Sequence, residues 1–174
     1  MIHSPIADIV RTKRLVLRRM TMDDAAVLHE IFRDPKAMEF WSTAPHENIE
    51  RTRAFMAETI AKVAAGESDD FVVTLDGKVI GKAGIWSASE LGFIFSPQVW
   101  GTGIAREAVN GVLTRAFAHG VTRVMADVDP RNTRSLAMLA KLGFKKTGEA
   151  KNTYKIGETW TDSVYLTLHS RVLL

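Results

Sequence analysis

Hydrophobic residues recur along the chain at two spacings, and each spacing predicts one kind of element. Where they alternate with polar residues a strand is expected, and where they return every three or four residues an amphipathic helix is expected. Pro35 and Gly66 are typical helix stop signals. The first elements predicted are a strand at 14–20 with Leu15 and Leu17 on one face, a helix at 23–32 with Val27, Leu28, Ile31 and Phe32 on one face, and a helix at 48–65 with Ile49, Met56, Ile60 and Val63 on one face.

A hairpin is the clearest local signal of the chain. Asp76-Gly77 lies between the apolar runs 71–75 and 79–80, and this dipeptide favours the tight turn that joins two antiparallel strands. A second turn at 87–89 leads into the apolar run 91–95. We therefore expect an antiparallel meander in this part of the chain.

The second half predicts a change to parallel pairing. An apolar stripe from Ala105 to Phe117 indicates a long helix that His119-Gly120 closes, and Val124, Ala126 and Val128 then alternate as a strand. A strand, helix and strand in this order imply a parallel crossover. A helix at 132–142 and closing strands at Tyr154 and 161–168 follow. The predicted fold is α+β, a mixed sheet flanked by helices.

Composition narrows the function. The 174 residues, 46% of them hydrophobic, suit one domain over 1–174. The chain has no cysteine, which excludes a disulfide, a thiolate metal cluster and a cysteine nucleophile, and we expect no metal. The net charge of +3 comes without a long basic block, so we expect no nucleic-acid partner. Residues 1–10 lack the apolar core of a signal peptide, and no run suits a membrane span, so we expect a cytoplasmic protein.

Two glycines stand between the apolar strand at 91–95 and the helix that begins near Ala105. In Gln98-Val-Trp-Gly101-Thr-Gly103, glycine lets main-chain amides turn toward one point, next to the free amides of the helix's first turn. Such a point attracts phosphate, although a purely steric need for glycine is an alternative. A Rossmann fingerprint is broken by Arg106, and the Gly-Lys-Ser/Thr of a P-loop is absent.

A second motif adds specificity. Asn132-Thr-Arg-Ser135 is followed by Lys141-Leu-Gly143-Phe144, a short helix that stops at a glycine. In this order the two motifs resemble the GNAT superfamily of acetyl-coenzyme A-dependent N-acetyltransferases, and in particular its ribosomal-protein N-terminal acetyltransferases. The resemblance spans about 14–168. It is supported by Arg14-Leu-Val-Leu-Arg18, by Trp41 with Pro45-His46, and by Trp160-Thr-Asp162.

The resemblance implies a mostly antiparallel sheet of about seven strands in which one parallel pair splays apart. The loop amides would hold the diphosphate of the coenzyme, with Gln98 and Arg106 as further donors, and the strand main chain would line the slot for its pantetheine arm. Trp100 is alternatively a packing residue at the base of the loop. The implied coenzyme-binding residues are Phe93, Ile94, Phe95, Gln98, Val99, Trp100, Gly101, Thr102, Gly103, Ile104, Ala105, Asn132 and Ser135.

The catalytic residues are harder to predict. The resemblance implies that Ser135 protonates the departing thiolate, since Leu139 stands where other family members have a tyrosine. Glu90 is the implied general base, although it is alternatively the cap of a turn. Asp127, Glu39 and His46 are the other candidates for the base. Asn132 is alternatively the cap of the last helix, as is Asp129 followed by Pro130.

The predicted activity is direct acetyl transfer from acetyl-coenzyme A to a primary amine, in a ternary complex without a covalent enzyme intermediate. The acceptor is either a protein N-terminus or a small amine. An alternative is a non-catalytic acyl-coenzyme A-binding or sensing domain. The protein would be a monomer or a homodimer without a membrane partner. Aromatic candidates for acceptor selection are Phe40, Trp41, Trp86, Tyr154 and Trp160.

Overall fold

The computed structural model describes residues 8–87 and 89–170. Within these residues eight strands form one mixed sheet in the order β1-β2-β3-β4-β5-β6-β8-β7. The strands are β1 (Ile9–Arg11), β2 (Leu15–Arg18), β3 (Asp69–Leu75), β4 (Lys78–Ser87), β5 (Glu90–Phe95), β6 (Arg123–Val128), β7 (Lys145–Ile156) and β8 (Thr159–His169). The α-helices are α1 (Ala25–Phe32), α2 (Ile49–Ala64), α3 (Ile104–Ala118) and α4 (Thr133–Lys141), with 3-10 turns at Met22–Asp24 and Pro97–Val99.

The α+β class and the mixed sheet are confirmed, with one strand more than the seven expected. The extra strand, β1, has three residues and pairs only with β2 at the sheet edge, so it carries too little alternation to be predicted. β7 begins at Lys145, well before the predicted strand at Tyr154. The earlier part was not predicted because the residues of β7 are mostly exposed and polar and show no apolar alternation. Ala88, in the predicted turn at 87–89, and residues 1–7 lie outside the described residues.

The strands β1 to β5 pair antiparallel throughout, which confirms the meander predicted for β3 to β5. In the β3–β4 hairpin, Asp76 and Gly77 have positive φ angles of 49° and 77°, which match the turn that Asp-Gly favours. The conformation of this hairpin is therefore determined by its own two turn residues.

The parallel pair β5–β6 opens into a gap. Within the described residues its only paired positions are Glu90 and Met125, and the amide of Met125 donates to the carbonyl of Ser89 at 2.8 Å. β5 continues to Phe95 along β4, whereas β6 continues along β8 to Val128. Beyond Glu90 the two strands therefore diverge, and their facing main-chain groups stay free of a ladder.

The two faces of the sheet carry different helices because strand side chains alternate. Phe71, Val73 and Phe95 pack with α3 on one face, and Val72 and Ile94 pack with α1 and α2 on the other. Val27, predicted on the inner face of α1, is instead 38% exposed, since α1 contacts the core through Leu28, Ile31 and Phe32. None of the helices within the described residues has the length and apolar character needed to cross a membrane.

Candidate active site

The glycine loop joins β5 to α3 and forms an open cradle. Gly101 and Gly103 have φ angles of 77° and 79°, a left-handed conformation that side chains disfavour. A Cβ atom on Gly101 would meet nothing within 4 Å, and one on Gly103 would meet only Arg14 Nη2, at 3.6 Å. These glycines are therefore required by backbone conformation and leave space above the loop.

Free amides line this cradle. Gly103 precedes the first turn of α3 without a side-chain cap, and the amides of 101–106 have no hydrogen-bond acceptor within the described part of the chain. Arg14 braces the loop from outside, donating from Nη1 to the carbonyl of Thr102 at 3.1 Å and from Nε to Glu107 at 2.6 Å. A row of unpaired amides at a helix N-terminus fits a diphosphate.

Trp100 packs beneath the loop. Its indole Nε1 donates to the carbonyl of Phe95 at 3.1 Å, and the guanidinium of Arg134 lies 4.3 Å from its ring centre. These contacts are those of a packing residue, the alternative raised by the sequence. Gln98 is exposed at the outer edge of the loop, and its main-chain amide donates to the hydroxyl oxygen of Ser96 at 3.4 Å.

Main-chain groups of β5 face the gap in an alternating pattern. The amide of Ser96 donates to Ile80 of β4 at 2.9 Å, and the Ile94 carbonyl lies against Gly81 of β4. Because successive residues of a strand point their amides to opposite sides, Phe93 and Phe95 direct theirs toward the gap. The main-chain groups of Ile94 point instead to β4, with which Ile94 pairs, and so do not face the gap.

Asn132 caps α4. Its Oδ1 accepts a hydrogen bond from the amide of Ser135 at 3.1 Å. Asp129, the other candidate cap, instead binds the guanidinium of Arg131, with Oδ2 2.6 Å from Nη2. The half-buried Ser135 hydroxyl makes no hydrogen bond to a described residue, while Leu139, one turn later, is fully buried in the core.

A cleft of about 300 Å³ lies beside the gap, lined there by Gly92 and Phe93 of β5. It runs between α2, the segment 40–46 and strands β3 to β8. Glu90, Asp127, Asn132 and Ser135 all line it, although they come from β5, β6 and the start of α4. The structure therefore brings the two predicted catalytic residues into one cavity.

Glu90 lies in an environment that disfavours its charge. Burial, followed by the negative charge of Asp127, raises the pKa of Glu90, and an interaction with Trp86 opposes this only in part. Tyr154 donates to Asp127 Oδ2 at 3.1 Å. Burial and the neighbouring Asp127 raise the pKa of Tyr154 to about 12, so the phenol stays protonated and remains a donor. Glu90 is thus a carboxylate with increased basicity.

A buried ion pair forms part of the opposite wall. Lys82 Nζ lies 2.7 Å from Asp70 Oδ2, and both side chains are 3% exposed. The rings of Trp41 and Phe55 lie 5.9 and 5.8 Å from the ammonium group. Gly84 is required beside this pair, since a Cβ there would lie 2.6 Å from Asp70 Oδ1.

Two histidines share one hydroxyl near the start of α2. The Oγ1 of the buried Thr52 lies 2.9 Å from His46 Nδ1 and 2.8 Å from His29 Nδ1. His46 stacks on Phe32 at 4.8 Å and lines the cleft. Burial, with the nearby charges of Arg51 and His29, lowers the pKa of His46, so its ring is neutral at pH 7.

Not every sequence candidate reaches the cleft. Phe40, Trp41, Trp86 and Tyr154 line it, whereas Trp160 is 53% exposed and lies outside it. The exposed Glu39 is also absent from its walls, while Asp127 and His46 belong to them. Asp70, Lys82 and Arg51 also line the cleft but are not predicted from the sequence, because charged residues inside a strand or on a helix belong to no motif.

Comparison with known proteins identifies the class. Residues 14–145 match the family described as an acetyltransferase (GNAT) domain. An uncharacterized N-acetyltransferase, p20 of Bacillus licheniformis, is 30% identical over 146 residues, 79% of this chain and 82% of the relative. The chain therefore belongs to the GNAT family of acetyl-coenzyme A-dependent N-acetyltransferases.

Within this family the neighbours include ribosomal-protein acetyltransferases. The [ribosomal protein uS5]-alanine N-acetyltransferase of Escherichia coli K12 is 34% identical over 86 residues, which are 49% of this chain and 44% of the relative. The structure of Mycobacterium smegmatis RimJ in complex with CoA-disulfide matches with a TM-score of 0.86 and 24% identity, covering 95% of this chain and 89% of that one.

Proposed function

We propose that this enzyme transfers the acetyl group of acetyl-coenzyme A directly to a primary amine in a ternary complex, without a covalent enzyme intermediate. The observation that carries the proposal is the single cleft in which Glu90, Asp127 and Ser135 meet beside the gap between β5 and β6. The chain has no cysteine to form an acyl-enzyme. The structural relative RimJ binds a coenzyme A disulfide, which supports the same coenzyme here.

The free amides at 101–106 would hold the diphosphate of the coenzyme at the N-terminus of α3. The gap-facing main chain of Phe93 and Phe95 would hold the pantetheine arm, and one of these amides would polarise the thioester carbonyl. When bound, the coenzyme supplies the activated acetyl group. The main chain of this loop and strand therefore orients the donor.

Glu90 would accept the proton that the acceptor ammonium must lose before it attacks. Its raised pKa makes it a better base, and burial, together with the charge of Asp127 that Tyr154 holds in place, keeps that pKa raised. An α-amine with a pKa near 8 loses its proton at a cost of about 1.4 kcal/mol at pH 7, whereas a lysine near 10.4 costs about 4.6 kcal/mol. A single carboxylate base therefore suits an α-amine, the group acetylated by the uS5-alanine relative.

Ser135 would donate a proton to the departing sulfur. Its hydroxyl makes no hydrogen bond to a described residue, and its position is fixed because its own amide donates to Asn132. Asn132 would thus serve two purposes, as the cap of α4 and as a side chain of the cleft.

The test is acetyl transfer measured by mass spectrometry, with thiol release followed in parallel. Wild-type enzyme, acetyl-coenzyme A and a panel of peptide and small amines should give a product heavier by one acetyl group, at a rate equal to thiol release. Tight coenzyme binding without turnover across the panel would instead indicate the non-catalytic sensing domain. Family membership favours the enzyme. One domain over 1–174, a monomer or homodimer, and a cytoplasmic location stay predictions.

A further inference from the structure

The two walls of the cleft differ in the charge that remains after its ion pairs are formed. On the wall made by α2, β3 and β4, the carboxylates Glu58 and Asp70 are each paired, with Lys62 at 2.7 Å and Lys82 at 2.7 Å. Arg51, in the first turn of α2, also lines the cleft and forms no ion pair within the described residues, although its charge acts at longer range on Glu58. This wall therefore carries one net positive charge.

The opposite wall keeps its negative charges. Glu90, Asp127 and Asp162 line it from β5, β6 and β8, and none of the three forms an ion pair within the part of the chain described. Asp127 and Asp162 accept only neutral donors, from Tyr154 at 3.1 Å and from the amide of Asn152 at 2.9 Å. An acceptor ammonium belongs on this wall, beside Glu90.

Polar groups without partners lie on the Arg51 side. His46 is 4% exposed; its Nδ1 is taken by Thr52, and its Nε2 makes no hydrogen bond to a described residue. The Oγ1 of Thr43, a cleft residue in the same segment, is buried and has no hydrogen-bond partner among the described residues, and the same holds for the Oγ of Ser68 just before β3. A buried hydroxyl that lacks a hydrogen bond costs stability unless a ligand or water supplies one. Together with the Arg51 guanidinium, these groups would surround an oxygen-rich ligand group.

We propose that the acceptor is bipolar: besides its reacting amine it carries a carboxylate, which binds Arg51 with contacts from Thr43 and His46. This inference rests on the proposed N-acetyltransferase activity and narrows its acceptor. A polyamine would place a second cation against Arg51, where the two carboxylates that line this wall, Glu58 and Asp70, are already paired. The structure therefore favours an acidic peptide N-terminus over a polycationic amine.

The geometry of α2 sets the length of this acceptor. Lys62 lies 6.0 Å from the ring of Trp86, and Trp86 contacts Gly92 close to Glu90, so this end of α2 is the amine end. Arg51 is eleven residues away, roughly 16 Å along the helix axis at 1.5 Å per residue. An extended peptide advances about 3.3 Å per residue. Because the arginine side chain reaches back over several ångströms, the acidic residue should fall at about the third to fifth position.

The experiment uses matched peptides of five residues with a free N-terminal alanine and an amidated C-terminus. They carry glutamate, glutamine or lysine at the fourth position and glycine elsewhere. For the wild-type enzyme we expect kcat/KM to be about tenfold higher for the glutamate peptide than for the glutamine peptide, and lowest for the lysine peptide. Arg51→Glu should reverse the order of the glutamate and lysine peptides.

Arg53→Glu is the matched control. Arg53 lies on the same helix, is exposed outside the cleft and pairs with Glu50, so this variant changes the net charge equally but should keep the wild-type order. Calorimetric titration of the same peptides into enzyme saturated with coenzyme A gives a second measurement that needs no turnover. It should show the same order of affinities.

The outcomes separate the two proposals. Acetylation with equal or higher kcat/KM for the lysine peptide would overturn the bipolar acceptor and leave the N-acetyltransferase proposal intact. An order unchanged by Arg51→Glu would also overturn it. Absence of acetyl transfer to any amine would contradict the proposed direct transfer, and the calorimetric order would then still decide whether Arg51 selects a carboxylate.

Discussion

The proposed coenzyme end of the site, at the glycine loop, and its proposed acceptor end, in the cleft, are built in different ways. The coenzyme end consists of main-chain amides contributed by one continuous stretch, 101–106, and by the neighbouring strand β5. The acceptor end consists of side chains from β3 to β8, α2 and the segment 40–46. The first should therefore tolerate changes of side-chain chemistry but not of backbone conformation, and the second should behave in the opposite way.

The largest effect is expected at the acceptor end, from Glu90→Gln. Loss of the base should lower kcat/KM by about 10²–10⁴-fold, the usual contribution of general base catalysis. In the wild type, kcat/KM should fall as the pH decreases through the raised pKa of Glu90. The acidic limb of the pH–rate profile should therefore lie at a higher pH than the ordinary pKa of a glutamate. In Glu90→Gln the limb should disappear from the pH–rate profile.

Glu58→Gln is the control for that prediction, because Glu58 lines the same cleft but is paired with Lys62. It should change kcat/KM only slightly. Glu90→Gln should also unfold no earlier than the wild type at pH 7, since the raised pKa means that the folded state disfavours the ionised carboxylate. A normal rate in Glu90→Gln would remove Glu90 from the mechanism.

The next effect concerns the stability of the acceptor wall. Lys82→Met should lower the free energy of unfolding by about 3–5 kcal/mol, because it leaves the Asp70 carboxylate buried without its partner. Urea denaturation measures this loss. The double variant Asp70→Asn with Lys82→Met should recover much of it, and a double variant as unstable as the single one would show that packing around Trp41 and Phe55, rather than charge, is responsible.

Gly103→Val tests the coenzyme end. A β-branched residue at a φ of 79° is strained, and its side chain would stand over the free amides, so affinity for coenzyme A should fall about 10–100-fold in a calorimetric titration. Gly120→Val is the matched control, since Gly120 has a φ of 87° with open space around it, at the other end of α3. Both variants should lose similar stability, but only Gly103→Val should bind the coenzyme more weakly.

The same difference explains what could be predicted from the sequence. The β3–β4 hairpin, the α3 stripe and the glycine loop are determined by neighbouring residues, so their residue types indicate their conformations directly. Asn132 as the cap of α4 was one of two alternatives, and only the structure shows that Asp129 is taken by Arg131.

The acceptor end could not be predicted because its parts come together only through the sheet order. Asp70 lies opposite Gly84 and Lys82 opposite Val72, so the ion pair joins diagonal neighbours across the β3–β4 ladder, and the sequence alone does not reveal this register. Asp127 raises the pKa of Glu90 only because β6 lies beside the start of β5. The sequence indicates Tyr154 as an aromatic candidate. Its hydrogen bond to Asp127 depends on the full length of β7, which could not be predicted because most residues of this strand are polar.

Ser135 lies where the two ends meet, and its substitution should have the smallest effect. Ser135→Ala should lower kcat about tenfold and leave coenzyme affinity unchanged, because the hydroxyl would act on the departing sulfur whereas its amide, which binds Asn132, is retained. Thr133→Ala removes an exposed hydroxyl from the same helical turn and should leave kcat as it is. Equal rates for the two variants would place proton donation with water, and the chemistry would then depend on the acceptor wall and the main-chain cradle alone.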